Sequence, residues 1–213
     1  MKKDGAPQSP PFKEPTVTIR RVVSHVALAV CAAAAAIAAA SPATAQPGAN
    51  RAAFTITSSA FAQGGTIPIV HECTSARPPD PRKKNESPPL SWSGAPAGAQ
   101  SYAIIMRDLS NNNLLHWIIY DIPVSTTSLP QNVAHVHEPP VPPGSKQIYY
   151  RGSASLWGYQ GPCSPSSINT YEFRVYALNR ANLTELNQNS SIRTAAQVIA
   201  NASIGSARIT ALS

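Results

Sequence analysis

The chain has 213 residues, with 17 Lys and Arg against 10 Asp and Glu and a net charge of +7. Five of the basic and two of the acidic residues precede residue 46, so the rest carries only +4, with Arg82-Lys83-Lys84 its one basic run. Basic residues scattered in this way, with no basic helical face, exclude a nucleic-acid-binding surface. In chain order, Lys2, Lys3, Lys13, Arg20 and Arg21 precede an Ala-rich apolar stretch over 22–40 and then Ser41-Pro-Ala-Thr-Ala45. Residues 1–45 therefore read as a secretory signal peptide cut before Gln46. A retained transmembrane anchor and lipid attachment through Cys31 are the other uses of such a leader. The weakly apolar alanines, Pro42 and the Ala43-x-Ala45 pattern favour cleavage. The expected location is secreted or periplasmic, with no stable membrane anchor.

Residues 46–52 form a polar, flexible lead-in, and 53–213 form one domain, large enough to bury its own core. Phe54 and Ile56 alternate with Thr55 and Thr57, which predicts a half-buried strand. Residues 66–71 predict a second short strand, confined by Pro68 to an edge or a strand start. A Pro-rich charged loop follows over 77–84, and Leu90-Ser-Trp92 is extended ahead of the turn Gly94-Ala-Pro-Ala-Gly98. The runs 102–106 and 114–120 are continuously apolar and rich in β-branched and aromatic residues, so both faces of each are expected to be covered. A long Pro-rich loop runs over 131–146, and residues 171–178 alternate as a central strand. Ile192, Ala195, Ala196 and Ile199 recur at helical spacing behind Ser190 or Ser191 as cap, predicting a helix over 191–201, and a last strand covers 207–212. Many strands with one late helix point to a β-sandwich.

Cys73 and Cys163 remain beyond the leader. A lone pair in an oxidising compartment reads as a disulfide worth about 4 kcal/mol, or else as two separately buried thiols. Asp108 and His116 occupy strand positions that a plain core fills with Val or Ile. His135-Val-His137 with Glu138 could present two imidazoles to a metal, but lacks a third ligand and reads as a solvated loop. Trp92 and Trp117 read as core, and Trp157 as a candidate for the mouth of a pocket. No Gly-x-Ser-x-Gly elbow, phosphate-binding loop or zinc spacing is present, so neither an enzyme nor a cofactor is expected.

Ser87-Pro-Pro-Leu-Ser-Trp92, Ala97-Gly-Ala-Gln-Ser-Tyr-Ala103, Asp108, His116-Trp-Ile-Ile-Tyr-Asp-Ile-Pro123, Thr126-Thr-Ser-Leu-Pro130 and Gly158-Tyr-Gln-Gly-Pro-Cys163 occur in that order. This set resembles the phosphatidylethanolamine-binding protein family, more narrowly its bacterial Raf-kinase-inhibitor-like branch, over nearly all of 53–213. The resemblance implies a mainly β fold: a two-sheet antiparallel β-sandwich with Greek-key connections and a short C-terminal helix. It also implies a small anion-accepting pocket at one end. Asp108 and His116 match the pocket aspartate and histidine, Gly161 and Pro162 the rim, where a cis peptide bond is implied, and Tyr171 an adjoining aromatic.

The chain departs from the family pattern at three places, one being the atypical Pro-rich insert ahead of the Gly158 motif. Asp108-Leu-Ser-Asn111 replaces Asp-Pro-Asp-Ala, and Asn169 stands where a second pocket histidine is usual. An amide donates hydrogen bonds but cannot neutralise a dianion, so weak binding of a monoanion, a zwitterion or a neutral ligand is expected. The expected ligand-binding set is Asp108, His116, Gly161, Pro162, Asn169 and Tyr171. The expected partner is a small anionic or phospholipid-like ligand. The alternative is a protease or kinase-type protein target engaged through loops such as 131–146.

Overall fold

The computed structural model describes residues 52–74, 79–152, 155–164 and 167–213. The leader expected over 1–45 lies outside the described residues, as does nearly all of the lead-in. The strands and helix in order are β1 (Thr55–Thr57), β2 (Leu90–Ser93), β3 (Ser101–Asp108), β4 (Leu114–Pro123), β5 (Ser128–Leu129), β6 (Lys146–Gln147), β7 (Tyr149–Arg151), β8 (Ser155–Trp157), β9 (Thr170–Leu178), α1 (Ile192–Ala202) and β10 (Ser203–Leu212). Five strands form the main sheet in the order β10-β9-β3-β4-β6, antiparallel throughout. A second antiparallel sheet has the order β1-β2-β5, and β7 and β8 form a hairpin.

The apolar runs of β3 and β4 lie inside the main sheet because both its faces are covered. On one face Ile104, Met106, Trp117, Ile119 and Phe173 meet Ile56, Leu90, Trp92 and Leu129 of the second sheet in one core. On the other, Ile105, Ile118 and Tyr120 pack against Ala195, Ile199 and Ala202 of α1 and against Leu183 and Leu186. Ile104, Ile119 and Phe173 have no exposed surface, and each such burial contributes about 1.5–3 kcal/mol. The helix starts where its cap dictates: Ser191 Oγ accepts the Thr194 N–H at 3.0 Å. It runs directly into β10, so the last strand begins four residues earlier than its weak alternation suggested.

Three local expectations need revision. Residues 66–71 do not form a strand. Thr66 makes a single parallel bridge to Leu212, after which the His71 N–H closes a 3-10 turn onto the Pro68 carbonyl. Pro68 cannot donate to a ladder, and the chain turns there. The cis peptide bond among the described residues is Val141–Pro142, not Gly161–Pro162. The 131–146 loop is fastened rather than loose. Buried Gln147 donates through Nε2 to the Ala134 and Val136 carbonyls, its Oε1 accepts the Trp117 indole N–H, and the Val133 N–H bonds Ser87 Oγ. Gly158 lies against that amide; a Cβ there would stand 2.3 Å from Gln147 Oε1. Cys73 and Cys163 form a disulfide across 90 residues of sequence.

Candidate ligand-binding site

At one end of the main sheet, the end of β3, the start of β4 and the start of β9 come side by side. Asp108 is in register with both Leu114 and Tyr171. Just before that end, β4 carries one residue too many: Met106 faces Trp117 and Arg107 faces Leu115, leaving His116 outside the pairing. A β-bulge of this kind re-aims a side chain. Here it brings the His116 ring edge-on to Tyr171, at 5.4 Å between centroids, and roughly parallel to Tyr150 at 6.0 Å. These residues, with the β3–β4 turn, the β7–β8 hairpin and the first turn of α1, line a concavity of about 1130 Å³. That is roomy even for a small-molecule site.

The hydrogen bonds set the polarity of its floor. Asp108, 2% exposed, accepts the Ser110 N–H on one oxygen at 2.9 Å and an Asn169 side-chain N–H on the other at 2.7 Å. It thus closes the turn after β3 and lines the concavity at once. His116, 5% exposed, places Nδ1 3.0 Å from the Gln160 carbonyl, which can only accept. Nδ1 therefore carries the proton, and Nε2 presents a lone pair with no protein partner among the described residues. Burial holds the His116 imidazole below its ordinary pKa, against the opposing pull of the Gln160 carbonyl and the Asp108 carboxylate. It is neutral at pH 7. Burial, with Asp108 beside it, pushes the Tyr171 phenol well up, so its proton stays on.

The walls carry the opposite charge. Arg107, Arg151 and Arg193 line the concavity, while Asp108 is its one acidic lining residue among those described. The Arg151 guanidinium lies 5.5 Å from the Tyr149 ring centre. Arg193 is exposed in the first turn of α1, which has no acidic residue there. Arg107 donates to the Tyr176 hydroxyl at 3.1 Å and flanks Glu172 at 3.6 Å. Glu172 is also bound by Arg174 at 2.8 Å and approached by Arg208 at 3.4 Å. Burial alone would raise the Glu172 carboxyl, but the arginines outweigh it and hold it below its usual range.

Four of the six expected ligand-binding residues, Asp108, His116, Asn169 and Tyr171, meet in this concavity. Gly161 and Pro162 do not line it; they back the wall. The Gly161 N–H donates to Asn85 Oδ1 at 2.8 Å, the Pro162 carbonyl accepts the Cys73 N–H, and a Cβ on Gly161 would stand 2.1 Å from the His71 carbonyl. Only glycine permits that approach. Trp157 also stays outside, packed on His137 and Tyr149. His135 and His137 face backbone carbonyls of Trp157, Asn85 and Gln147. Sequence reasoning missed Tyr150, Arg151 and Arg193. The paired aromatics Tyr149-Tyr150 ahead of Arg151-Gly152-Ser153 were the available hairpin signal.

Comparison with known proteins finds a family match and a solved structure of the same fold. The family model for phosphatidylethanolamine-binding protein matches residues 57–213. A UPF0098 protein of Methanothermobacter thermautotrophicus is 38% identical over 122 residues, covering 56% of this chain and 73% of its own. A Mycobacterium tuberculosis protein provisionally named a lipoprotein, LppC, is 30% identical over 157 residues, covering 73% of this chain and 69% of its own. The crystal structure of Escherichia coli YbcL, described as a new member of the mammalian PEBP family, superposes with a TM-score of 0.64 at 27% identity. It covers 75% of this chain and 96% of its own.

Proposed function

Because the chain belongs to the phosphatidylethanolamine-binding protein family, we propose that it is an exported protein that binds a small polar ligand, an anion or a phospholipid head group, in the concavity around Asp108 and His116. One observation carries this reading. A histidine that is 5% exposed is turned out of its strand by a bulge and keeps one ring nitrogen unpartnered where the concavity opens. A ring nitrogen held in place by the other's hydrogen bond and left open to a concavity is an acceptor available to a ligand. Titrating the protein with phosphate, ethanolamine and phosphoethanolamine while following the backbone amides of Asp108, His116 and Tyr171 by NMR tests it. Saturable shifts confined to these residues are expected, and no shift with any probe contradicts the proposal.

Binding rather than catalysis is favoured by the partners of the groups nearby. Cys163 is held in the disulfide, Ser110 Oγ accepts the Thr170 N–H, and the hydrogen bonds of His116 go to backbone groups of Gln160 rather than to a nucleophile. Export is supported by the leader pattern, by the disulfide and by the likeness to the lipoprotein-named LppC. Amino-terminal sequencing of the protein recovered from outside the cytoplasm is expected to begin at Gln46. A second reading, docking to a protein target, draws on Val136 and Val141, which are 44% and 53% exposed on the fastened 131–146 loop. Since that loop is tied into the fold, Val136→Asp with Val141→Asp tests it more cleanly than deletion does.

A further inference from the structure

The wall of the concavity contains one bond that redox chemistry can open, and a single residue joins that bond to His116. Resting on the reading of this concavity as the binding site, we infer that the Cys73–Cys163 disulfide is a redox site that controls it. A dithiol reductant attacks at Cys163, and opening the bond releases Gln160, the residue that positions the His116 ring.

The two sulfurs differ in access. Cys73 has no exposed surface, whereas Cys163 is half-buried and lines the concavity. Exchange requires a thiolate to reach a sulfur, so the exposed side of the bond decides where it is attacked. Attack at Cys163 Sγ breaks the S–S bond and leaves its electron pair on Cys73 Sγ, which takes up a proton. The second thiol of the reductant then attacks its own sulfur in the mixed disulfide, and Cys163 leaves and is protonated. The reductant departs as a cyclic disulfide, oxidised by two electrons, and the cysteine pair is reduced by two. The approach to Cys163 runs through the opening that a ligand would use.

Gln160 carries the consequence to the histidine. Its side chain is buried and donates through Nε2 to Cys163 Sγ at 3.0 Å. Its backbone is tied twice to His116: the carbonyl accepts the Nδ1 proton at 3.0 Å, and the N–H donates to the His116 carbonyl at 3.2 Å. The His116 tautomer thus depends on where Gln160 lies, and Gln160 lies where the sulfur holds it. Two thiols need more room than two bonded sulfurs, and Cys73 is enclosed, so Cys163 is the one that turns toward the concavity. The amide of Gln160 then loses its fixed acceptor. The remainder of the wall has ties of its own. Tyr159 donates its hydroxyl to the His71 carbonyl at 2.8 Å, Gly161 its N–H to Asn85 Oδ1 at 2.8 Å, and Cys73 its N–H to the Pro162 carbonyl at 2.9 Å. Neither cysteine is part of the two apolar cores on the faces of the main sheet. Reduction therefore slackens one wall and leaves the sheet intact, setting the concavity in an oxidising compartment and releasing it in a reducing one.

Ring-nitrogen NMR of the full chain at pH 7, before and after dithiothreitol, tests the link without any ligand. Reduction is expected to move both His116 nitrogens as the proton is shared between them, while the Trp117 indole N–H, bonded to Gln147, stays in place. Gln160→Met keeps the backbone carbonyl and removes the amide, so its His116 resonances are expected to ignore dithiothreitol. Iodoacetamide added to the reduced protein is expected to alkylate Cys163 at least about tenfold faster than Cys73. Phosphoethanolamine is expected to bind the reduced protein about tenfold more weakly, and by reciprocity to make the disulfide harder to reduce by the same factor. His116 nitrogens unmoved by full reduction, a Gln160→Met variant that responds like the parent, or equal alkylation of the two thiols overturns the inference. Loss of the Trp117 signal with the dispersed amides also overturns it, since the bond would then be a staple for the whole domain. A His116 that responds to reduction in a protein that binds neither phosphate, ethanolamine nor phosphoethanolamine refutes the binding site and leaves the redox link standing.

Discussion

Strand β4 carries two bulges, and each takes a polar residue out of an otherwise apolar strand with a different result. At the far end from the concavity, Tyr120 and Asp121 together oppose Ala103, and Asp121 adopts a left-handed φ of 54°. Both its oxygens are engaged, one by the Leu183 N–H at 2.8 Å and the other by Lys146 Nζ at 2.9 Å. At the near end His116 is engaged on one nitrogen only. The two residues are 4% and 5% exposed, so burial does not tell them apart. What separates them is hydrogen-bonding capacity left over. The first bulge ties the sheet to the segment ahead of α1, and the second leaves a ring nitrogen open to the concavity, where the proposed function places a ligand.

The contrast can be broken by changing either residue. Asp121→Asn sets an amide N–H against a donor it used to satisfy and leaves Lys146 without its partner, a loss of about 3 kcal/mol in denaturant unfolding. Ligand affinity is expected to be unchanged at temperatures where the variant is folded. His116→Phe keeps the ring between Tyr150 and Tyr171 and removes both nitrogens. Its stability is expected to fall by only about 1 kcal/mol, for the Gln160 carbonyl left without a donor, while phosphoethanolamine binding drops at least about tenfold. If Asp121→Asn abolished binding and His116→Phe spared it, the assignment of structural and functional bulge would be reversed.

A smaller effect comes with pH. Burial lowers the pKa of His116 and of His71 below the ordinary 6.5 in the folded protein. The unfolded chain therefore takes up protons first as pH falls below about 6.5, and stability drops until the folded imidazoles protonate in turn. For His116 the slope cannot exceed about 1.4 kcal/mol per pH unit. Thermal unfolding is expected at a lower temperature at pH 5.5 than at pH 7.5, with part of the difference gone in His116→Phe. A melting temperature that rises on acidification contradicts a neutral His116.

Much of the fold was legible because it follows from composition read in order. The runs through Ile104 and Ile119 had no polar face and required cover on both sides, and Ser191 with Ile192, Ala195 and Ile199 announced a capped helix. Asp108 and His116 stood out because each interrupts such a run. The geometry that brings them together at one concavity was not legible. A one-residue register shift leaves no mark in the sequence when both its flanks are apolar, so the bulge at His116 was invisible. The three-residue strand holding Tyr150 and Arg151 is too short for any period to emerge. Gly161 and Pro162 looked like pocket rim because a family motif records that residues are required, not why; here Gly161 is required for its close pass beneath the His71 carbonyl.

Imidazole nitrogen NMR of His116 tests the central claim most directly, since it reads both ring nitrogens separately before and after a ligand is added. In the free protein at pH 7, Nδ1 is expected to carry the proton and Nε2 to be bare, and phosphoethanolamine is expected to move the Nε2 resonance while Nδ1 stays in place. A free protein with its proton on Nε2, or an Nε2 resonance indifferent to every probe, would show that the bulged histidine is as fully employed by the protein as Asp121.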